Sequence, residues 1–341
     1  MTHYASISNQ TLIEVGESWV QDNSDLFAWT KLPRCTVRGM AAGQGTTTYN
    51  LPDLDNYLLK AGGLQEWGYG LDRRAPRDLA STSVTVTPKV QDITPITRPL
   101  TSSAATESIW ADLRANVIPG QLSMVFQGVE KQLAAALTNG TLGTTSTFAG
   151  TGALDTYMTN VDHDPLGDIL ADLESNGLRW KAQAIGGSVA MFISPRVLDL
   201  FQRHPAFSGS GRGNTGGVAQ VVSRERVLEH IGATLGVDEV ITLTSVADQV
   251  RLGQTSTPTI EGRSVLAFQV LDRNRSRNLA ANPFDTADGS VTYFEAEAPN
   301  VTMAEDENTK VVKFNGDAEF SIGSPRGATF GIFYPASEMF A

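Results

Sequence analysis

The stretch Ser188-Val189-Ala190-Met191-Phe192-Ile193-Ser194-Pro195-Arg196-Val197-Leu198 decides how this chain is read. The apolar run Val189 to Ile193 predicts a strand. Ser194-Pro195 then starts a helix, because a serine oxygen can cap the first amides and proline needs no amide partner in the first turn. Val197, Leu198 and Phe201 give that helix an inward stripe, and His204-Pro205 closes it. Phe207 to Gly217 is a glycine-rich loop. Ser223 caps a second helix bearing Val227, Leu228, Ile231 and Leu235, Gly236 ends it, and Glu239 to Leu243 predicts another strand. The result is a compact α/β unit whose glycine loop opens toward a helix, an arrangement that can cradle phosphate.

The phosphate reading fails on its details. A Walker-type loop needs a lysine followed by Ser or Thr after its second glycine, so that amides and an ammonium share the phosphate charge. Gly211-Arg212-Gly213-Asn214-Thr215-Gly216 has no lysine, follows a helix, and is separated from Ser223 by Val218 to Val222. A dinucleotide fingerprint fails likewise, since no strand runs into the loop. Gly209, Gly211, Arg212, Gly213, Gly216 and Gly217 therefore read as a flexible surface tip. Ser188 begins a strand where a nucleophile elbow would end one. His3, His163, His204 and His230 are scattered; an imidazolium at His204 would suit a helix C-terminus. Asp164, Asp168 and Asp172 recur one helical turn apart, a pattern that reads as a solvated acidic face rather than a metal cage. We expect no catalytic, cofactor-binding or metal-binding residues.

Composition narrows the classes further. The chain has 341 residues, 41% hydrophobic and 18% charged, with a formal net charge of −11. That is long enough for one to three folding units and too apolar for a disordered polymer. The acidic balance opposes a protein that grips DNA through its phosphates. The single cysteine, Cys35, excludes an intrachain disulfide. Met1 to Gln10 lacks the charged-then-apolar order of a signal peptide, and no apolar run approaches a membrane span, so a soluble protein assembled in a reducing cytoplasm is expected.

Along the chain, Thr11 to Gln21 has helical spacing of Leu12, Val15 and Trp19. From Thr36 to Leu100, Thr, Gly and Pro dominate, and Ser83 to Thr87 alternates as a strand. A structureless loop of that length is uncommon in a compact domain, which predicts an extended β-arm or hairpin leaning on something else. Ser103 to Asn139 predicts a long helix, restarted or kinked at Pro119. Asp164 to Gly177 predicts a capped helix. Val265–Leu271, Val291–Ala296, Val301–Met303, Lys310–Phe314 and Asp317–Ile322 are strand candidates. Asn315-Gly316 is a two-residue hairpin signal, and Glu305 to Asn308 predicts a solvated turn. Phe330, Ile332, Phe333 and Tyr334 suggest that the C-terminal end docks back on the fold. Arg73, Arg74 and Arg77 cluster within the long loop, while Arg273, Arg275 and Arg277 alternate along an extended segment. Such rows are solvated edges or candidate contacts to acidic patches on a neighbouring copy.

The order of these parts, with Leu32-Pro33-Arg34-Cys35-Thr36-Val37, Glu130-Lys131-Gln132-Leu133-Ala134, Ile193 to Leu198 and Leu235-Gly236-Val237-Asp238-Glu239-Val240, resembles the major capsid proteins of tailed bacteriophages with the Hong Kong-97-type fold. The resemblance implies an α+β protein with an N-terminal arm (1–35), an extended loop (36–100) reaching over a neighbour, a peripheral domain (101–185 and 283–341) built on a long spine helix, and an α/β axial domain (186–282). It implies a non-enzymatic virion protein, assembled in the host cytoplasm into pentamers and hexamers that enclose double-stranded DNA without sequence-specific binding. Scaffolding, portal and decoration proteins are the implied partners, with the scaffold a separate chain. An encapsulin-like nanocompartment shell and a soluble α/β nucleotide-binding enzyme are the alternatives.

Overall fold

The structure, a computed structural model, describes residues 3–23, 26–36, 47–52, 81–86, 89–90, 93–101, 104–138, 143–148, 154, 163–185, 187–204, 223–243, 264–271, 277–278, 291–323 and 331–335. In chain order these form α1 (Asn9–Asn23), β1 (Arg34–Thr36), β2 (Thr47–Pro52), β3 (Ser81–Val86), β4 (Lys89–Val90), β5 (Ile96–Pro99), α2 (Thr106–Asp112), α3 (Ile118–Thr138), β6 (Thr144–Thr145), α4 (Pro165–Ser175), α5 (Leu178–Ile185), β7 (Ser188–Ile193), α6 (Pro195–Arg203), α7 (Arg224–Leu235), β8 (Glu239–Thr242), β9 (Leu266–Leu271), β10 (Arg277–Asn278), β11 (Thr292–Asp306), β12 (Val311–Gly323) and β13 (Gly331–Phe333). Short 3-10 turns occupy Tyr4–Ser6 and Ala28–Lys31.

The α/β unit forms as its local signals dictate. Ser194 Oγ accepts from the Val197 amide and Ser223 Oγ from the Arg226 amide. Gly236 ends α7 in the left-handed region at φ 59°, where an L side chain is strained. β7 and β8 pair in parallel, the register that a helical crossover permits. Asp238 pins their start: its carboxylate accepts from the Val189 amide at 2.8 Å and its own amide donates to the Val189 carbonyl at 2.9 Å.

These strands sit in a five-stranded sheet of order β6-β13-β9-β7-β8, so the C-terminal strand docks back as expected. Both faces of the sheet are covered. Val189, Met191 and Ile193 point into a core shared with α4, α5, α6 and α7, while Ala190 and Phe192 join a second core against α3. That two-sided burial is why β7 reads as a continuous apolar run and β9 as one broken only by the buried Gln269, whose Oε1 accepts from the Val291 amide. Helix α5, which carries no cap signal, was not anticipated. Asp172 corrects the solvated acidic face: its Oδ2 accepts from Ser146 Oγ at 2.5 Å and Tyr334 Oη at 2.7 Å, clasping β13 and the segment after β6 to α4.

The second sheet has the order β10-β1-β11-β12-β4, with β5 also on β12. Two expectations are corrected here. The chain turns at residues 307–310, with Lys310 at φ 52° and Asp306 Oδ1 accepting from the Asn308 and Thr309 amides. Asn315-Gly316 instead lies inside β12, paired with Thr302 and Val301. Gly316 sits at a close approach to α3, not in a turn: a Cβ there would lie 3.0 Å from Val125 Cγ2 and 3.1 Å from the Gln121 carbonyl oxygen. β11 is likewise one strand, not two; the break anticipated after Ala296 is a pair of register shifts between Glu295 and Asn300, around Pro299, which has no amide to give the ladder.

Pro119 does not restart the long helix. Leu113–Val117 widens into a π turn in which the Ile118 amide reaches the Leu113 carbonyl, and α3 continues from it. A third core, with Tyr4, Leu12, Ile109, Leu113, Leu122, Val312 and Phe314, joins α1, α2 and α3 to β12. The close approach at Gly316 predicts that Gly316→Ala lowers unfolding stability by about 1–3 kcal/mol, measured by urea denaturation. Unchanged stability would mean that Val125 and the Gln121 backbone yield to the added methyl without cost.

Candidate assembly surfaces

Arg73, Arg74, Arg77, Arg273 and Arg275 lie outside the described residues, as does the glycine loop with Gly209, Gly211, Arg212, Gly213, Gly216 and Gly217. The described chain stops at His204, after α6, and resumes at Ser223, before α7. Arg277 is described as part of β10, in parallel register with Cys35 of β1.

The long loop does form a hairpin. β2 and β3 pair antiparallel from Thr47↔Val86 to Pro52↔Ser81, and among the described residues they pair with no other strand. An isolated two-stranded hairpin is marginal in water and needs a surface to lie on. The returning limb has one: β4 and β5 both add to β12.

The N-terminal segment is held by buried polar groups that the sequence did not reveal. Glu130, 1% exposed in the middle of α3, accepts from the amides of Ala28 (3.2 Å) and Trp29 (3.1 Å), one on each carboxylate oxygen. These amides open the 3-10 turn, so a carboxylate takes the place of a cap. Around it, Trp19, Phe27 and Trp29 meet the Phe126 ring edge-on at centroid distances of 5.6, 5.1 and 4.9 Å, and the Arg34 guanidinium lies 5.4 Å from the Trp29 ring.

A second cluster joins the N-terminus, the loop and the helix in one place. Arg98 of β5 grips Asp112 of α2 with two hydrogen bonds, Nε to Oδ2 at 2.6 Å and Nη2 to Oδ1 at 2.9 Å. Tyr4 Oη donates to Oδ2 at 3.0 Å and Asn116 Nδ2 to Oδ1 at 2.8 Å. The Arg98 hydrogen bonds, assisted by Asn116 and Tyr4, hold the Asp112 carboxyl down at about 2. Burial, then the carboxylate beside it, pushes the Tyr4 phenol up.

Among the described residues, three large apolar side chains remain exposed: Leu26 (58%), Trp180 (43%) and Ile13 (37%). Among the described residues no group of three or more His, Cys, Asp or Glu is placed to hold a metal ion, and no helix is long and apolar enough to cross a membrane.

No family model matches the chain, and no curated protein matches it. Solved structures do. A phage-related protein from Bordetella bronchiseptica superposes with a TM-score of 0.61 at 12% identity, over 99% of each chain. A virus-like particle from Pyrococcus furiosus follows at TM-score 0.47 and 8% identity, over 95% of this chain and 97% of that one. The mature capsid of bacteriophage PhiM1 gives 0.42 and 11%, over 88% and 85%. The chain therefore shares the fold of the Bordetella protein, and it is of the α+β class expected from its sequence.

Two predictions concern the anchoring clusters. Asp112 is more acidic folded than the ordinary value near 3.9, so its contribution is complete above about pH 4 and is lost as pH falls toward 2. Asp306, held at about 2 chiefly by its Lys313 hydrogen bond, titrates in the same window. The readout is therefore the difference: Asp112→Asn flattens the acid limb of the stability–pH curve between about pH 4 and 2 relative to wild type, and an unchanged limb would contradict the cluster. Glu130→Gln replaces an acceptor by an amide donor against a backbone N–H and costs about 2–4 kcal/mol, read from chemical denaturation.

Proposed function

We propose that this chain is the major capsid protein of a tailed bacteriophage, a structural protein whose copies form pentamers and hexamers of an icosahedral head around double-stranded DNA. The observation that carries the reading is a hairpin without an intramolecular partner strand among the described residues, in a chain whose other described elements pack into three cores. A monomer gains nothing from such an element. Repeated against a neighbour in a shell, many weak copies of one contact add up. The whole-length fold shared with a phage-related protein supports the same reading.

The finer assignments belong to this proposal. Residues 1–35 serve as the arm, 36–100 as the loop over the neighbour, 101–185 with 283–341 as the peripheral part, and 186–282 as the axial part at the capsomer centre. One core cluster joins residues of α4, α5 and β13 with residues of β7, α6, α7 and β9, so on this division the peripheral and axial parts share a core. The arginines at 73, 74, 77, 273, 275 and 277 are candidate contacts to acidic neighbours, and the glycine loop 209–217 is a tip near a symmetry axis or shell surface. The net charge of −11 suits a wall that confines DNA without gripping it. Scaffolding, portal and decoration proteins, assembly in the host cytoplasm and residence in the virion follow from the reading.

Sedimentation velocity and negative-stain microscopy of the expressed chain test it. Capsomers or closed particles are expected; a monodisperse monomer that binds nucleotide tightly would contradict it, and particles filled with protein cargo would favour a cellular compartment. Because Thr47 and Val86 are paired, a short Gly-Ser linker from 46 to 87 can replace the hairpin. That variant is expected to keep the melting temperature of the unassembled chain and to lose assembly.

A further inference from the structure

We draw no further inference here: the strongest candidate, the cavity of about 270 Å³ bounded by Asp164 and Leu170 of the α4 region, His204 after α6, and His230 and Thr234 of α7, carries nothing because nothing in the structure shows what covers or fills it.

Discussion

Helix α3 is the element on which the N-terminal segment, the returning limb of the long loop and the β11–β12 pair are registered, and buried polar side chains fix where each sits. Apolar packing alone would let the N-terminal segment and the β11–β12 hairpin slide along its Leu122, Val125, Phe126, Val129 and Leu133 face. Two side chains remove that freedom. Gln121 accepts from the Gly316 amide at 2.9 Å and donates to the Thr94 carbonyl at 3.2 Å; Glu130 takes the two amides of the 3-10 turn at residues 28–31. A shift by one residue would leave a buried carboxylate and several amides unpaired, at about 1–3 kcal/mol or more for each group. Specificity of position thus comes from groups that add little to net stability.

The consequence is a body in which the N-terminus, the returning loop and the two sheets are tied to one helix. The Tyr4–Arg98–Asp112 cluster completes the tie by joining three segments distant in sequence at one carboxylate. The β2–β3 hairpin is left outside this network. Among the described residues the hairpin pairs with no other strand, which is what the capsid reading proposed above needs of a segment that lies on a neighbouring copy.

What was legible in the sequence was what is local. Ser194-Pro195, Ser223, Gly236 and the apolar runs of β7 and β9 placed the α/β unit to within a residue, because caps and two-sided burial act over a few positions. The hairpin in the long loop was legible from alternation at Ser83–Thr87, although its start at Thr47 was not. Asn315-Gly316 misled because glycine serves turns and close packing alike, and only α3, about 195 residues away, decides between them. The same distance hid Glu130: an acidic residue on a helix reads as solvated until the partner segment 101 residues earlier is in place. The π turn before Pro119 was equally hidden, since a proline signal cannot say whether a helix stops, bends or widens.

Hydrogen exchange before and after assembly tests the central claim most directly, namely that a self-sufficient body presents an unsupported hairpin to its neighbours. In the unassembled chain, the amides of α3 and those of Ala28 and Trp29 should exchange only through global unfolding, while the cross-strand amides of Thr47–Pro52 and Ser81–Val86 exchange fast. On assembly the hairpin amides should become protected and α3 should change little. A hairpin already protected to the global limit in the isolated chain, or one still unprotected in assembled particles, would contradict the account.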